Sequence, residues 1–239
     1  MKRRAFNGCL ISLIIVFIDY LVPFIPLYNM YKRGFLTQSG FTENIVTGDY
    51  QSSLNIHIIL MIIYLITEDY VSLDDSAIRM TRYKSVSDYC KYKILNALPM
   101  IVYIAVIHEV ICMVFILIFG DFELTLRYDY GFAVFFQIIY ISLYLSIVYL
   151  TKELLSVFLA KSLPVIVTIF AYSLIYYSFV YFFTTFNFIY EKNAFVQQVC
   201  QGLVNRYEVI NILLRSVGMT LLIYCIYALV RKKRDYIEK

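Results

Sequence analysis

Residues 97–119 read ALPMIVYIAVIHEVICMVFILIF. This run exceeds the about 20 apolar residues that a helix needs to cross a bilayer. Its only polar interruption is the pair His108-Glu109 near the middle. A soluble core helix alternates apolar and polar faces, and this segment is apolar all round, as a membrane span is.

The rest of the chain agrees. Of its 239 residues 61% are hydrophobic and 16% are charged, and the mean hydropathy is +0.72. A soluble domain averages about 45–50% apolar and about 25% charged residues. So few charges cannot cover an aqueous surface. Downstream, 131–151, 162–183 and 210–230 are similar runs, the last ending abruptly at Arg231, Lys232, Lys233 and Arg234. Upstream lies 9–28, preceded by Lys2, Arg3 and Arg4 and carrying Asp19, Pro23 and Pro26. No small-x-small cleavage site follows it, so it reads as a retained span rather than a signal peptide. The weakest run is 54–70, which contains Asn55 and His57. Residues 29–53 are polar and carry Gly34, Gly40 and Gly48, which reads as a loop.

Charge placement orients these segments. With six spans, fifteen of the 21 Lys and Arg fall on the side that holds both termini, 71–96 and 152–161. Six fall on the other: Lys32, Arg33, Arg127, Lys192, Arg206 and Arg215. The richer side is expected to be cytoplasmic. Removing the weak 54–70 span would scramble this alternation. The expected fold is therefore an all-α integral membrane protein with six transmembrane helices, N-in and C-in, in a single domain over 1–239. The five cysteines show no CxxC spacing and read as free thiols. Trp is absent, so the 24 Tyr are left to form the interfacial belts.

Function concentrates in three places. The cytoplasmic stretch 71–96 follows Glu68 and Asp69 and contains Arg79, Arg82, Tyr83, Lys84, Ser85, Asp88, Tyr89, Lys91 and Lys93. Ser85 followed by Asp88 is a capping-box pattern that starts a helix. That helix is either a basic interfacial anchor or a docking element for a cytoplasmic partner. Within the spans, Asp19, His108, Glu109 and Gln137 could share one polar patch. A carboxylate at the bilayer centre costs at least about 2.5–3.5 kcal/mol, so each faces the bundle interior, is protonated or finds a partner. The patch is a substrate or proton site on a translocation path, or hydrogen bonding that fixes helix packing. His108, Glu109 and Cys112 also mimic part of a metalloprotease motif, which gives an intramembrane hydrolase as an alternative. Lastly, 184–209 is too polar to span and too apolar for a free loop.

This layout resembles the transmembrane permease subunit of ABC-2 type bacterial exporters, with the type V exporter-like fold. The likeness rests on six spans with both ends inside, the acidic end of the second span (Glu68, Asp69), and the basic run Arg82-Tyr83-Lys84-Ser85 with Lys91 or Lys93 leading into the third. It implies that 71–96 holds a coupling helix seated in a nucleotide-binding subunit, and that 184–209 forms a gate-like outer loop. It further implies two copies of a separate cytoplasmic ABC ATPase, a second permease copy or paralogue, and a location in the bacterial plasma membrane. The chain has no GxxxxGK[ST], so it is expected not to be an enzyme and to hold no cofactor; ATP and Mg would be bound by the partner. The expected substrate is a hydrophobic or peptide-like compound, in antimicrobial-peptide or bacteriocin export or self-immunity, with no nucleic acid involved. A non-transporting membrane immunity or scaffold protein is a further alternative.

Overall fold

The computed structural model describes residues 2–48, 51–52, 54–72, 85–127, 129–159, 163–182 and 205–237. Arg79, Arg82, Tyr83 and Lys84, and nearly all of the 184–209 loop, lie outside these residues. The chain is helical, with no strand among the described residues. In order come α1 (Lys2–Lys32), α2 (Gln38–Thr47), a π-helical turn (Asn55–Ile59) running into α3 (Leu60–Ser72), α4 (Val86–Phe119), α5 (Phe122–Arg127), α6 (Tyr130–Leu155), α7 (Leu163–Phe182) and α8 (Arg206–Ile237). Among the described residues four helices are long and apolar enough to cross a membrane: Phe6–Lys32, Asp88–Phe119, Tyr130–Leu155 and Arg206–Lys233. Their outward faces carry large apolar side chains such as Val22, Ile118, Phe135, Leu214 and Leu221, each more than half exposed. Contiguous apolar surface of this extent suits lipid and not water.

α6 is the most enclosed of the four and α8 the least. α6 packs chiefly on α4 and α8, and α7 lies along it. The start of α8 is tied to the start of α6 by Arg206, whose guanidinium meets the Asp129 carboxylate at 2.8 Å and covers the Phe132 ring at 4.9 Å.

α4 begins where the capping pattern places it. Ser85 is extended (φ −146, ψ 156), and its Oγ accepts from the Asp88 N–H at 3.1 Å and donates to the Asp88 carboxylate at 2.7 Å. From there α4 runs unbroken through Pro99 to Phe119. Its 34 residues extend about 51 Å, well beyond the ~30 Å hydrocarbon core. Residues 86–96 are thus the foot of the span itself, not a separate helix lying on the surface.

The stretch 29–53, expected as a loop, contains α2. Thr37 caps it, accepting from the Gly40 N–H at 3.1 Å. Its Phe41, Thr42, Ile45 and Val46 recur at helical spacing and are buried. Phe41 stacks on Tyr31 at 4.6 Å, beside a ladder in which Tyr20 and Phe24 of α1 meet Phe115 of α4 at 4.4 and 4.5 Å. Aromatic pairing of this kind adds about 0.5–1.5 kcal/mol beyond burial, which outweighs the weak propensity of a Ser/Gly/Thr-rich segment. The helix stops at Gly48, where a Cβ would lie 2.2 Å from the Asn44 carbonyl oxygen.

α1 and α3 are in contact at Gly8, whose added Cβ would stand 2.5 Å from Val71 Cγ2. Gly8→Leu is expected to cost about 1–3 kcal/mol by overpacking, read as a lower unfolding midpoint in detergent. Val71→Ala in the same chain should return part of that loss, and a strictly additive double variant would show that the two residues do not meet.

Candidate functional site

Two buried polar layers cross the bundle. The inner one surrounds Glu109, which is fully buried with His108 and Gln137. Neighbouring residues on a helix point away from each other, yet His108 curls back so that Nδ1 meets Glu109 Oε1 at 2.8 Å. Gln137 Nε2 of α6 donates to the same oxygen at 2.8 Å. Gln51 Nε2 donates to Oε2 at 3.1 Å, and its own Oε1 accepts from Gln137. Three side chains from two other segments and the same helix thus hold both oxygens of one carboxyl group.

Asp19 joins this layer from α1. Its Oδ2 accepts from Asn55 Nδ2 at 2.7 Å, and it lies within Coulombic reach of His108. One turn on, His57 Nε2 meets the Tyr140 hydroxyl at 2.7 Å, and Tyr144 Oη donates to the His57 carbonyl at 2.7 Å. The wide turn at Asn55–Ile59 interrupts the regular helix ladder, and Tyr144 occupies a carbonyl there. Such π-turns recur at functional sites because they re-aim side chains. Here the turn contributes buried Asn55 and His57 to the layer.

The four residues Asp19, His108, Glu109 and Gln137 therefore belong to one region, with His108, Glu109 and Gln137 in direct contact. Gln51 and Asn55 complete it and were not foreseen. Gln51 stands in the stretch read as a loop. Asn55 registered only as a weakness of the 54–70 run. Cys112 Sγ lies 3.7 Å from the Ile45 carbonyl oxygen. Among the described residues no three His, Cys, Asp or Glu side chains form a metal-ligand group.

A second layer lies at the other end. Lys152 of α6 contacts Glu68 of α3 and stands 3.5 Å from Glu153 Oε1, while Lys93 of α4 meets Glu153 Oε2 at 2.7 Å. Two cations and two carboxylates close a neutral quartet across three helices. Tyr149 Oη donates to the Lys93 carbonyl at 3.3 Å. Tyr227 of α8 packs beside the quartet with Cys90, Leu150 and Val157. Tyr89 is buried, with Lys93 and Arg231 each within 6 Å of its ring. Asp88 is engaged in the Ser85 cap, and Lys91 is exposed. Sequence pattern pointed to Glu68 and Lys93; Lys152 entered only as one of the charges of 152–161, and Glu153 not at all. Their signal was opposite charge at the same end of neighbouring runs.

His108 follows Lys93, and Lys152 follows Gln137, by the same number of residues. On antiparallel helices this sets the two layers about 22 Å apart on both. No protein-family model, curated protein or solved structure matches this chain.

Lys152→Met leaves Glu68 and Glu153 without their shared cation. Breaking a buried pair from one side costs about 3–5 kcal/mol, so the variant should unfold at markedly lower temperature in detergent. Adding Glu68→Gln should return most of that stability. Equal loss in both variants would mean that the quartet does not carry the energy.

Proposed function

We propose that this chain is the membrane-spanning permease subunit of an ATP-driven exporter in the bacterial plasma membrane. It pairs with a second permease copy or a paralogue and moves a hydrophobic or peptide-like compound, such as an antimicrobial peptide. ATP and Mg belong to a separate cytoplasmic ATPase present in two copies, docked on 71–96 through Arg79, Arg82, Tyr83, Lys84 and the α4 foot.

The observation that carries this reading is the continuity of α4. One helix joins the Ser85-capped foot, beside the docking segment, to the Glu109 layer inside the bundle. A push on the foot is felt about 30 Å away at His108, with the Lys93 quartet between. Six crossings are the natural count. α7 has 20 residues, a length of about 30 Å, and 54–72 extends roughly 27 Å at helical rise. Both approach the hydrocarbon thickness. With both termini inside, the quartet faces the cytoplasm and 184–209 the exterior.

Purification from the native host should bring down an ATPase with the permease. Arg82→Ala combined with Lys84→Ala should abolish permease stimulation of ATP turnover while membrane insertion is unchanged. An intact complex with undiminished stimulation would sink the docking assignment; no ATPase at all would sink the exporter. For topology, Ser85→Cys and Lys192→Cys in a chain stripped of other cysteines should react with an impermeant maleimide from opposite sides. Labelling of both from one side contradicts six crossings.

A further inference from the structure

We propose that Asp19, Asn55 and the His108–Glu109 pair form a proton-binding site within the membrane-spanning bundle, with Asp19 as the group that takes the proton and the Asn55 amide turning over to accept it. The site depends on the chain lying in a membrane, and not on the exporter reading.

The first support is charge. Asp19 and Glu109 bring two negative charges to one region, and His108 brings at most one positive charge. The region is therefore one proton or more short of neutrality, in surroundings where an uncompensated charge is costly. The titratable groups that face it from neighbouring elements supply no further cation when His57 is neutral: Tyr20 of α1, Cys112 of α4, and Tyr130 and Tyr140 of α6. α2 presents the Ile45 carbonyl.

The second support is hydrogen bonding. Glu109 already has three partners: the Gln137 and Gln51 amides donate to it, and His108 Nδ1 shares a hydrogen bond with it. Asp19 differs. It takes one hydrogen bond, from Asn55 Nδ2 at 2.7 Å. The other end of that amide, Oδ1, is buried without a hydrogen-bond partner, although Asn55 is only 4% exposed. A buried acceptor left unmade is unfavourable. If Asp19 gains a proton, a half-turn of the amide lets the new O–H donate to Oδ1, and the orphan is satisfied. The Asn55 amide thus has two orientations, one suited to each protonation state. Asp19 is half-buried, so it is less enclosed than Glu109. The balance is simple: one proton adds to one carboxylate oxygen, the net charge rises by one, and no other bond changes.

The test is infrared difference spectroscopy on the full chain in lipid nanodiscs, titrated from about pH 9 to about pH 6, above the range in which exposed carboxylates take up protons. One protonated-carboxyl stretch should grow in, disappear in Asp19→Asn, and persist in Glu43→Gln, an exposed control. A band that survives Asp19→Asn, or that Glu109→Gln removes while Asp19→Asn does not, overturns the assignment. Should Asp19→Asn fail to fold, the wild-type chain still decides. His57 and His108 are its only histidines. In ¹⁵N-histidine NMR, with His57→Gln giving the assignment, the His108 ring signals should move with the midpoint of the infrared band. Invariant His108 signals across that midpoint would overturn the shared site. Failure here leaves the ATPase partner untouched, and absence of an ATPase leaves the proton site standing.

Discussion

The carboxylate of Glu109 sets the terms for the middle of the bundle. It sits in a helix that is otherwise apolar for more than twenty residues, where neither water nor backbone can serve it, since the helix consumes its own N–H and C=O groups. Its partners must come from other segments. His108 is recruited from the same helix against its natural direction, Gln137 from α6 and Gln51 from the chain leading into the π-turn. Bringing Gln51 to that depth requires the backbone before α3 to enter the bundle. That entry places Asn55 beside Asp19 and His57 beside Tyr140. Lipid offers no hydrophobic drive between helices, so these bonds and the aromatic ladder are what select this packing.

The same constraint explains α2. A polar connection between the first two spans would ordinarily stay at the surface. Here the chain must deliver Gln51 inward, and the residues before it follow. Phe41, Ile45 and Val46 fill the space between α1 and α4. The end of α2 at Gly48, with Gln51 N–H on the Gly48 carbonyl at 3.0 Å, turns the chain towards Glu109. The cavity of about 120 Å³ lined by Tyr20, Pro23, Phe24 and Gly48 lies between the Pro23 turn of α1 and the end of α2.

Periodicity and composition made the long apolar helices legible, and the Ser85–Asp88 spacing located the start of α4 to the residue. They could not reveal α2, because its helix depends on aromatic partners far along the chain and not on its own residues. The inner layer was half legible. An acidic or amide residue inside an apolar run stands out, and Asp19, His108, Glu109 and Gln137 do so. Gln51 does not, since it is polar among polar neighbours and only the fold brings it to Glu109. Lys152 and Glu153 escape notice for the opposite reason. A charged pair at the end of an apolar run resembles a solvated boundary, and nothing local says that Glu68 and Lys93 enclose it.

The two layers differ in a way that bears on motion. The quartet at the α4 foot is neutral, and its four charges are matched by near neighbours, so it resists separation of α3, α4 and α6. The inner layer sets two carboxyl groups beside one imidazole, leaves the Asn55 amide oxygen without a hydrogen-bond partner, and includes a turn that departs from the regular helix. Strong matching at one end and incomplete matching at the other make the first the fixed joint and the second the place where rearrangement costs least. A displacement of the α4 foot that keeps the quartet together moves α3, α4 and α6 as one body. The Asp19–Asn55 contact is a hydrogen bond by which α1 meets that body in the inner layer. Relative movement of α1 therefore falls on a carboxylate whose partner amide has an oxygen still to be satisfied.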